Sequence, residues 1–236
     1  MFYDIDDKIS ILLVDYHELV RNGIARLIQD EDDMAVLAQL GSGEEALEYL
    51  SQKAPFYPDI ILVDARMPGM GGIEATRSIL QQAPKSRVIA ISSVATGIIP
   101  SQMLRSGAMA FIPTNVSVAE LLKAIRTVHA GNHYVTHEVA VQLALDPFTK
   151  SGKSQFEKLS RRELQIAQML VDGQKVSKIS SDLKLNCKTV YSYRYRIFEK
   201  LGIRNDVELS ILAIKYGLVD DSREYEDINV LQLNIG

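Results

Sequence analysis

The 236 residues carry 26 Lys and Arg against 30 Asp and Glu, for a net charge of −4, and 47% are hydrophobic, enough to fill one large or two small cores. The single Cys187 excludes an internal disulfide and a cysteine-based zinc site; no apolar run approaches the length of a membrane span, and the first ten residues are acidic and polar, unlike a signal peptide, so a cytoplasmic protein is expected. Charge is unevenly spread. Residues 1–155 hold 13 basic against 18 acidic side chains, residues 156–218 hold 12 against 7, and residues 219–236 hold 1 against 5. A basic module behind an acidic one is the footprint of a polyanion-binding domain placed after something else.

In chain order, apolar runs near 9–14, 34–40, 59–63, 87–92 and 109–112 alternate with helix-period segments near 17–30, 43–52, 72–82, 98–106 and 118–130. Ser42 with Glu45 and Ser117 with Glu120 read as capping boxes that fix two helix starts. Five strand–helix units predict an α/β fold, a doubly wound parallel sheet in the flavodoxin-like (βα)5 order, which gathers the strand ends Asp15, Asp64, Ser92 and Thr114 into one pocket. The centre of that pocket is Asp64, where the apolar run Ile60-Ile61-Leu62-Val63 meets Ala65-Arg66-Met67-Pro68-Gly69.

Asp64 and this Met-Pro-Gly turn resemble the phospho-accepting loop of bacterial response-regulator receiver domains. The resemblance implies that Asp64 is the phosphoacceptor, that two adjacent acids after the first strand and one loop carbonyl hold magnesium, and that a hydroxyl and a lysine after the fourth and fifth strands bind the phosphate. Here the first strand ends in Asp15-Tyr16-His17, so the second acid is a tyrosine. Ser92 keeps the hydroxyl and Phe111 the aromatic switch position, whereas Thr114 stands where the lysine belongs. Asp15, Asp64 and the Arg66 carbonyl are thus a reduced ligand set, and magnesium binding is expected to weaken. Two readings of Asp64 stand side by side: inefficient phosphate acceptance, or a relic in a receiver that signals without phosphate. The substitutions favour a degenerate receiver.

His129, His133 and His137 recur every four residues, but Gly131 and Asn132 break the helix that would stack them, so a solvent-facing connector explains them better than a metal site. Residues 131–155 lose periodicity and end in a polar, turn-rich stretch read as a linker, with a short helix retained near 137–144. The receiver is therefore placed at 1–130.

Ser160 with Glu163, a third capping box, opens a helix that stops at Gly173, and further helices follow near 175–183, 187–201 and 206–217. Four short helices with tight joins predict a helix-turn-helix module over 156–218. Leu159-Ser160-Arg161-Arg162-Glu163-Leu164 and Asn186 to Arg196 resemble the LuxR-type DNA-binding domain; with the receiver in front, the chain over residues 8–218 resembles a NarL/FixJ-family response regulator of the GacA/UvrY class. On the third helix Val190, Tyr193, Ile197 and Leu201 face the core by period. That leaves Lys188, Thr189, Arg194 and Arg196 for phosphates and Tyr191, Ser192 and Tyr195 for base edges. Cys187 takes the first helical position, as a small neutral residue rather than a redox switch. The last helix has more apolar residues than one face needs, which predicts a homodimer. The acidic tail, 219–236, leaves disorder and an edge strand both open.

The expectation is a DNA-binding transcriptional regulator and not an enzyme, with duplex DNA and a sensor histidine kinase as partners, no membrane association, and magnesium, doubtfully, as the one cofactor. The rival is a protein-interaction regulator that heterodimerises with an intact regulator and blocks its output.

Overall fold

The computed structural model describes residues 8–54, 56–93, 97–145, 155–216 and 218. Expectations for the acidic tail fall outside these residues. The chain begins as a parallel sheet of β1 (Ile9–Val14), β2 (Met34–Leu40), β3 (Ile60–Asp64), β4 (Arg87–Ser92), β5 (Ala110–Pro113) and β6 (Tyr134–Val135), ordered β2-β1-β3-β4-β5-β6. Between the strands run α1 (Glu18–Gln29), α2 (Gly43–Lys53), α3 (Gly72–Gln82), α4 (Ile99–Arg105) and α5 (Val118–His129). Side chains alternate across the pleat. Ile11, Leu13, Ile60, Leu62, Ile89 and Ile112 pack with Ala25, Ile28, Ile125 and Val128 of α1 and α5, whereas Leu12, Val14, Ile61, Val63, Val88 and Phe111 pack with Leu50, Ala75, Ile79 and Met103 of α2 to α4. The α/β flavodoxin-like architecture read from the sequence is the one observed, with one strand added.

That sixth strand corrects the five-stranded expectation and lies inside the stretch read as linker. Tyr134 and Val135 pair with Ala110 and Phe111 of β5, and the Tyr134 hydroxyl donates to Glu120 of α5 at 3.1 Å. The helix expected near 137–144 is α6 (His137–Leu145), whose Val139 is fully buried.

After a 3-10 turn at Gln155–Lys158 come α7 (Arg161–Val171), α8 (Val176–Asp182), α9 (Cys187–Leu201) and α10 (Asp206–Lys215). Phe156, Leu164, Ile166, Ile179, Val190, Ile197 and Leu209 form their core, which is continuous with the apolar cluster on the α2–α4 side of the sheet. Of the three expected capping boxes one closes fully: Ser160 Oγ accepts from the Glu163 amide, and Glu163 accepts from the Ser160 amide. At Ser42 the hydroxyl caps as expected, but Glu45 reaches the Gly41 amide; at Ser117 the carboxylate of Glu120 instead takes the Tyr134 hydroxyl. Glu163 has a further task. Burial pushes its carboxyl up, but the Lys200 ammonium at 2.6 Å and the Ser160 groups outweigh that and hold it below the usual range, tying α7 to α9.

The start of α3 is pressed against the strand that ends in Asp64. Gly71 caps this helix with φ 74° and ψ 153°, a conformation open essentially to glycine, and a Cβ on Gly72 would lie 2.3 Å from the Asp64 carbonyl oxygen. Gly23, inside α1, has no such neighbour within 4 Å. Gly72→Ala is therefore expected to lower unfolding stability by about 1–3 kcal/mol, whereas Gly23→Ala raises it by about 0.5–1 kcal/mol, both measured by urea denaturation.

Candidate functional site

The carboxyl ends of β1 and β3 bring Asp15 and Asp64 together, 8% and 7% exposed. Each is anchored by a nearby amide: the His17 amide donates to Asp15 Oδ1 at 2.6 Å, and the Arg66 amide to Asp64 Oδ1 at 2.9 Å. Arg21 holds the β1 loop from beneath, donating to the Asp15 carbonyl at 2.6 Å. Asp64 Oδ2 is buried and lacks a hydrogen-bond partner. Burial pushes the Asp64 carboxyl up to about 6; the Asp15 charge adds to this, and the Arg66 amide, His17 and the Arg66 guanidinium oppose it.

The other pocket residues are placed differently from one another. Ser92, at the end of β4, is buried, and its carbonyl accepts from the Thr114 amide at 3.0 Å. Phe111 is fully buried among the α2–α4 core residues. Thr114 is exposed and carries no cation into the pocket. Tyr16 turns outward, 58% exposed, with its ring edge-on to His17 at 5.6 Å between centroids.

The residue that sequence reasoning missed is His17. Its imidazole folds back so that Nδ1 lies 3.4 Å from Asp15 Oδ1 and 3.9 Å from Asp64 Oδ2. Its position two residues after the strand-end acid was the only available signal. Among the described residues, Asp15, His17 and Asp64 are the group of three or more potential metal ligands whose atoms converge, all within 4.8 Å of one another. This donor set fits a divalent cation but matches magnesium poorly, because magnesium prefers six oxygens and an imidazole stands close to the carboxylates.

The β3–α3 loop also carries a contact between the two modules. The Arg66 guanidinium, its side chain 7% exposed, pairs with Asp172 after α7 at 3.1 Å. Gln165 of α7 donates to the Gly69 carbonyl, and Arg105 approaches Glu157 at 3.7 Å. A cavity of about 330 Å³ lies alongside, bounded by Met70, Ile73, Gln102, Leu159, Arg161 and Gln168 among others.

The second candidate surface is α9. Asn186 caps it by accepting from the Lys188 amide at 2.7 Å, and left-handed Gly202 ends it at φ 67°. Val190, Ile197 and Leu201 are buried as the period requires, and Tyr193 is half-buried. Lys188, Thr189, Tyr191, Ser192, Tyr195 and Arg196 are exposed, and Lys188, Thr189, Ser192, Tyr193 and Arg196 line a shallow depression. Arg194 departs from this group. Its guanidinium makes a two-pronged pair with Asp206 of α10, Nε donating at 2.9 Å and Nη2 to Oδ2, and lies over the Phe198 ring at 5.0 Å, which withdraws it from the open basic face. Cys187 is exposed, with its sulfur 3.2 Å from Ser180 Oγ. On α10, Val207 and Ile211 are 68% and 61% exposed, an apolar strip not needed by the core. Among the described residues no helix is long and apolar enough to cross a membrane.

Comparison with known proteins matches both modules. Residues 11–126 fit the response regulator receiver domain model, and residues 157–213 fit that of the bacterial regulatory proteins of the luxR family. The response regulator GacA of Pseudomonas viridiflava is 45% identical over 215 residues, covering 91% of this chain and 99% of that protein. The response regulator UvrY of Escherichia coli K12 is 41% identical over 211 residues, 89% of this chain and 95% of that protein. The structure of the RcsB response regulator of Salmonella typhimurium aligns over 89% of this chain and 99% of its own with a TM-score of 0.70, at 19% identity.

The buried Asp64 predicts a pH signature. A carboxyl at about 6 when folded, against 3.8 ordinarily, favours the native state fully below the lower value, and this contribution is lost as pH rises through about 6. Asp64→Asn removes that loss. In chelator-containing buffer its stability advantage over the parent is expected to grow from near zero at pH 4 to about 3 kcal/mol at pH 8, measured by chemical denaturation across pH.

Proposed function

Since this chain belongs to the family of response regulators that join a receiver domain to a luxR-type regulatory domain, we propose that α9 inserts into the major groove of duplex DNA under control of a receiver with relaxed phosphorylation chemistry. The chain is a DNA-binding two-component response regulator and not an enzyme. The observation that carries the reading is the exposed α9 face, basic and hydroxyl-rich, which opens at a capped helix N-terminus.

On this reading Lys188, Thr189 and Arg196 contact phosphates, and Tyr191, Ser192 and Tyr195 meet base edges. Arg194 supports the face from behind by clamping α9 to α10 through Asp206. The exposed Val207 and Ile211 of α10 suit a second copy of the chain, so that two α9 helices meet two half-sites. The receiver extends past residue 130 to take in β6 (Tyr134–Val135), and the DNA-binding module occupies 156–218, in a cytoplasmic protein whose input is a sensor histidine kinase.

Asp64 is the residue that would accept phosphate. Magnesium, when bound, shields the charges that meet in phosphoryl transfer; the residues here able to hold it are Asp15, Asp64 and the Arg66 carbonyl. Asp64 presents Oδ2 without a competing hydrogen bond, and Ser92 lies at the adjacent strand end. Two deficits weaken the response. Tyr16 adds no negative charge to the ligand set, and Thr114 adds no positive charge to pair with a phosphoryl group. Phosphorylation therefore has a smaller grip on Ser92 and Phe111 than an intact pocket would have. Acetyl phosphate is expected to modify Asp64 slowly and incompletely by intact mass, and Asp64→Asn not at all; rapid stoichiometric modification that raises DNA affinity would contradict the relaxed-receiver reading.

DNA contact is tested through salt. Binding to duplex DNA should weaken steeply as salt rises, and Lys188→Ala and Arg196→Ala should each lower the slope of log K against log salt by about one, measured by fluorescence anisotropy. A chain that binds no duplex but captures an intact relative would support the heterodimer alternative instead.

A further inference from the structure

We propose that the ends of β1 and β3 form a site for a borderline divalent transition ion, zinc or a close neighbour in chemistry, ligated by Asp15, His17 and Asp64. His17 supplies the donor that the residue next to Asp15, a tyrosine, does not. The site does not depend on whether Asp64 accepts phosphate or α9 binds DNA.

Three observations converge. Ligand atoms of the three side chains lie within 4.8 Å of one another. Two ligands bound at about 2.1 Å to a tetrahedral ion stand about 3.4 Å apart, and the gaps here, 3.4 Å from His17 Nδ1 to Asp15 Oδ1 and 3.9 Å to Asp64 Oδ2, need only a small contraction to reach it. Independently, Asp64 Oδ2 is buried, in a side chain 9% exposed, and has no hydrogen-bond partner. A buried carboxylate oxygen left unmatched is costly unless something positive joins it. The Arg66 amide holds the other oxygen, so the free one is aimed and not rotating.

The donor set then selects the ion. Imidazole nitrogen suits zinc, nickel and cobalt, whereas magnesium prefers oxygen alone and gives up its water reluctantly. Tyr16 is turned outward and leaves the inner face of the loop to His17. The imidazole is 59% exposed and can adjust to an ion without repacking the core. Three protein ligands leave one position open to solvent or an anionic oxygen, as at an exchangeable rather than a sealed structural site.

The experiment uses the untagged full chain, stripped with chelator and desalted, with zinc and magnesium titrated separately by calorimetry and cobalt(II) followed by visible absorption. One zinc per chain is expected, with magnesium at least about tenfold weaker, and with cobalt bands of a low-coordinate nitrogen–oxygen site. His17→Ala should lose about tenfold or more in zinc affinity and lose the cobalt bands, while its metal-free melting temperature stays that of the parent. Tyr16→Asp should move preference toward magnesium. Zinc affinity unchanged in His17→Ala, which would place the ion at the other histidines, or magnesium binding as tight as zinc, would overturn the proposal.

Discussion

Much of this molecule turns on keeping one carboxylate at the end of a strand covered on both faces. Burial, with the Asp15 charge adding to it, pushes the Asp64 carboxyl up to about 6, and the Arg66 amide, His17 and the Arg66 guanidinium offset only part of this. Such a group is unsettled by construction. The surrounding backbone is built to hold it there: Gly72 lets α3 start in contact with the Asp64 carbonyl, and the Arg66 amide fixes one carboxylate oxygen so that the other faces Asp15 and His17. Stability is thereby given up locally for a site ready to receive positive charge.

The same loop is where the second module rests. Arg66 donates its amide to Asp64 and its guanidinium to Asp172, and Gly69 accepts from Gln165. The guanidinium is shielded from solvent, so its pair with Asp172 is less screened than a surface ion pair. The contact engages α7 and leaves the exposed face of α9 open. Helix α7, which meets this loop through Gln165 and the following Asp172, is tied in turn to α9 by the Glu163–Lys200 pair.

How much of this was legible in the sequence follows from how local each signal is. The five long apolar runs, the end of the third at Asp64, and the Ser160–Glu163 cap are complete within a few residues and are found where expected. β6 was missed because two residues, Tyr134 and Val135, make no run and owe their conformation to β5. Arg194 was assigned to phosphates, and its pair with Asp206 could not be read because that partner sits on the next helix, beyond any local pattern. Glu120 illustrates the same limit, since its spacing from Ser117 reads as a capping box while Tyr134 claims the carboxylate. His17 was read only as the start of a helix because its significance comes from β1 and β3 being neighbours.

The two substituted positions act on opposite sides of the same electrostatic balance. Replacing an acid by Tyr16 removes a negative charge that a magnesium ion would neutralise, and replacing a lysine by Thr114 removes a positive charge that a phosphoryl group would neutralise. A ligand can shift an equilibrium only by its differential interaction with the two states, and on the relaxed-receiver reading proposed above the pocket has two fewer charges with which to make that difference. On that reading the fifth strand, through Thr114 and Phe111, carries less of the response, whereas Arg66 has contacts to both Asp64 and Asp172. Charge placed between Asp15, His17 and Asp64 would therefore meet a loop whose Arg66 contacts both Asp64 and Asp172, which follows α7 of the second module.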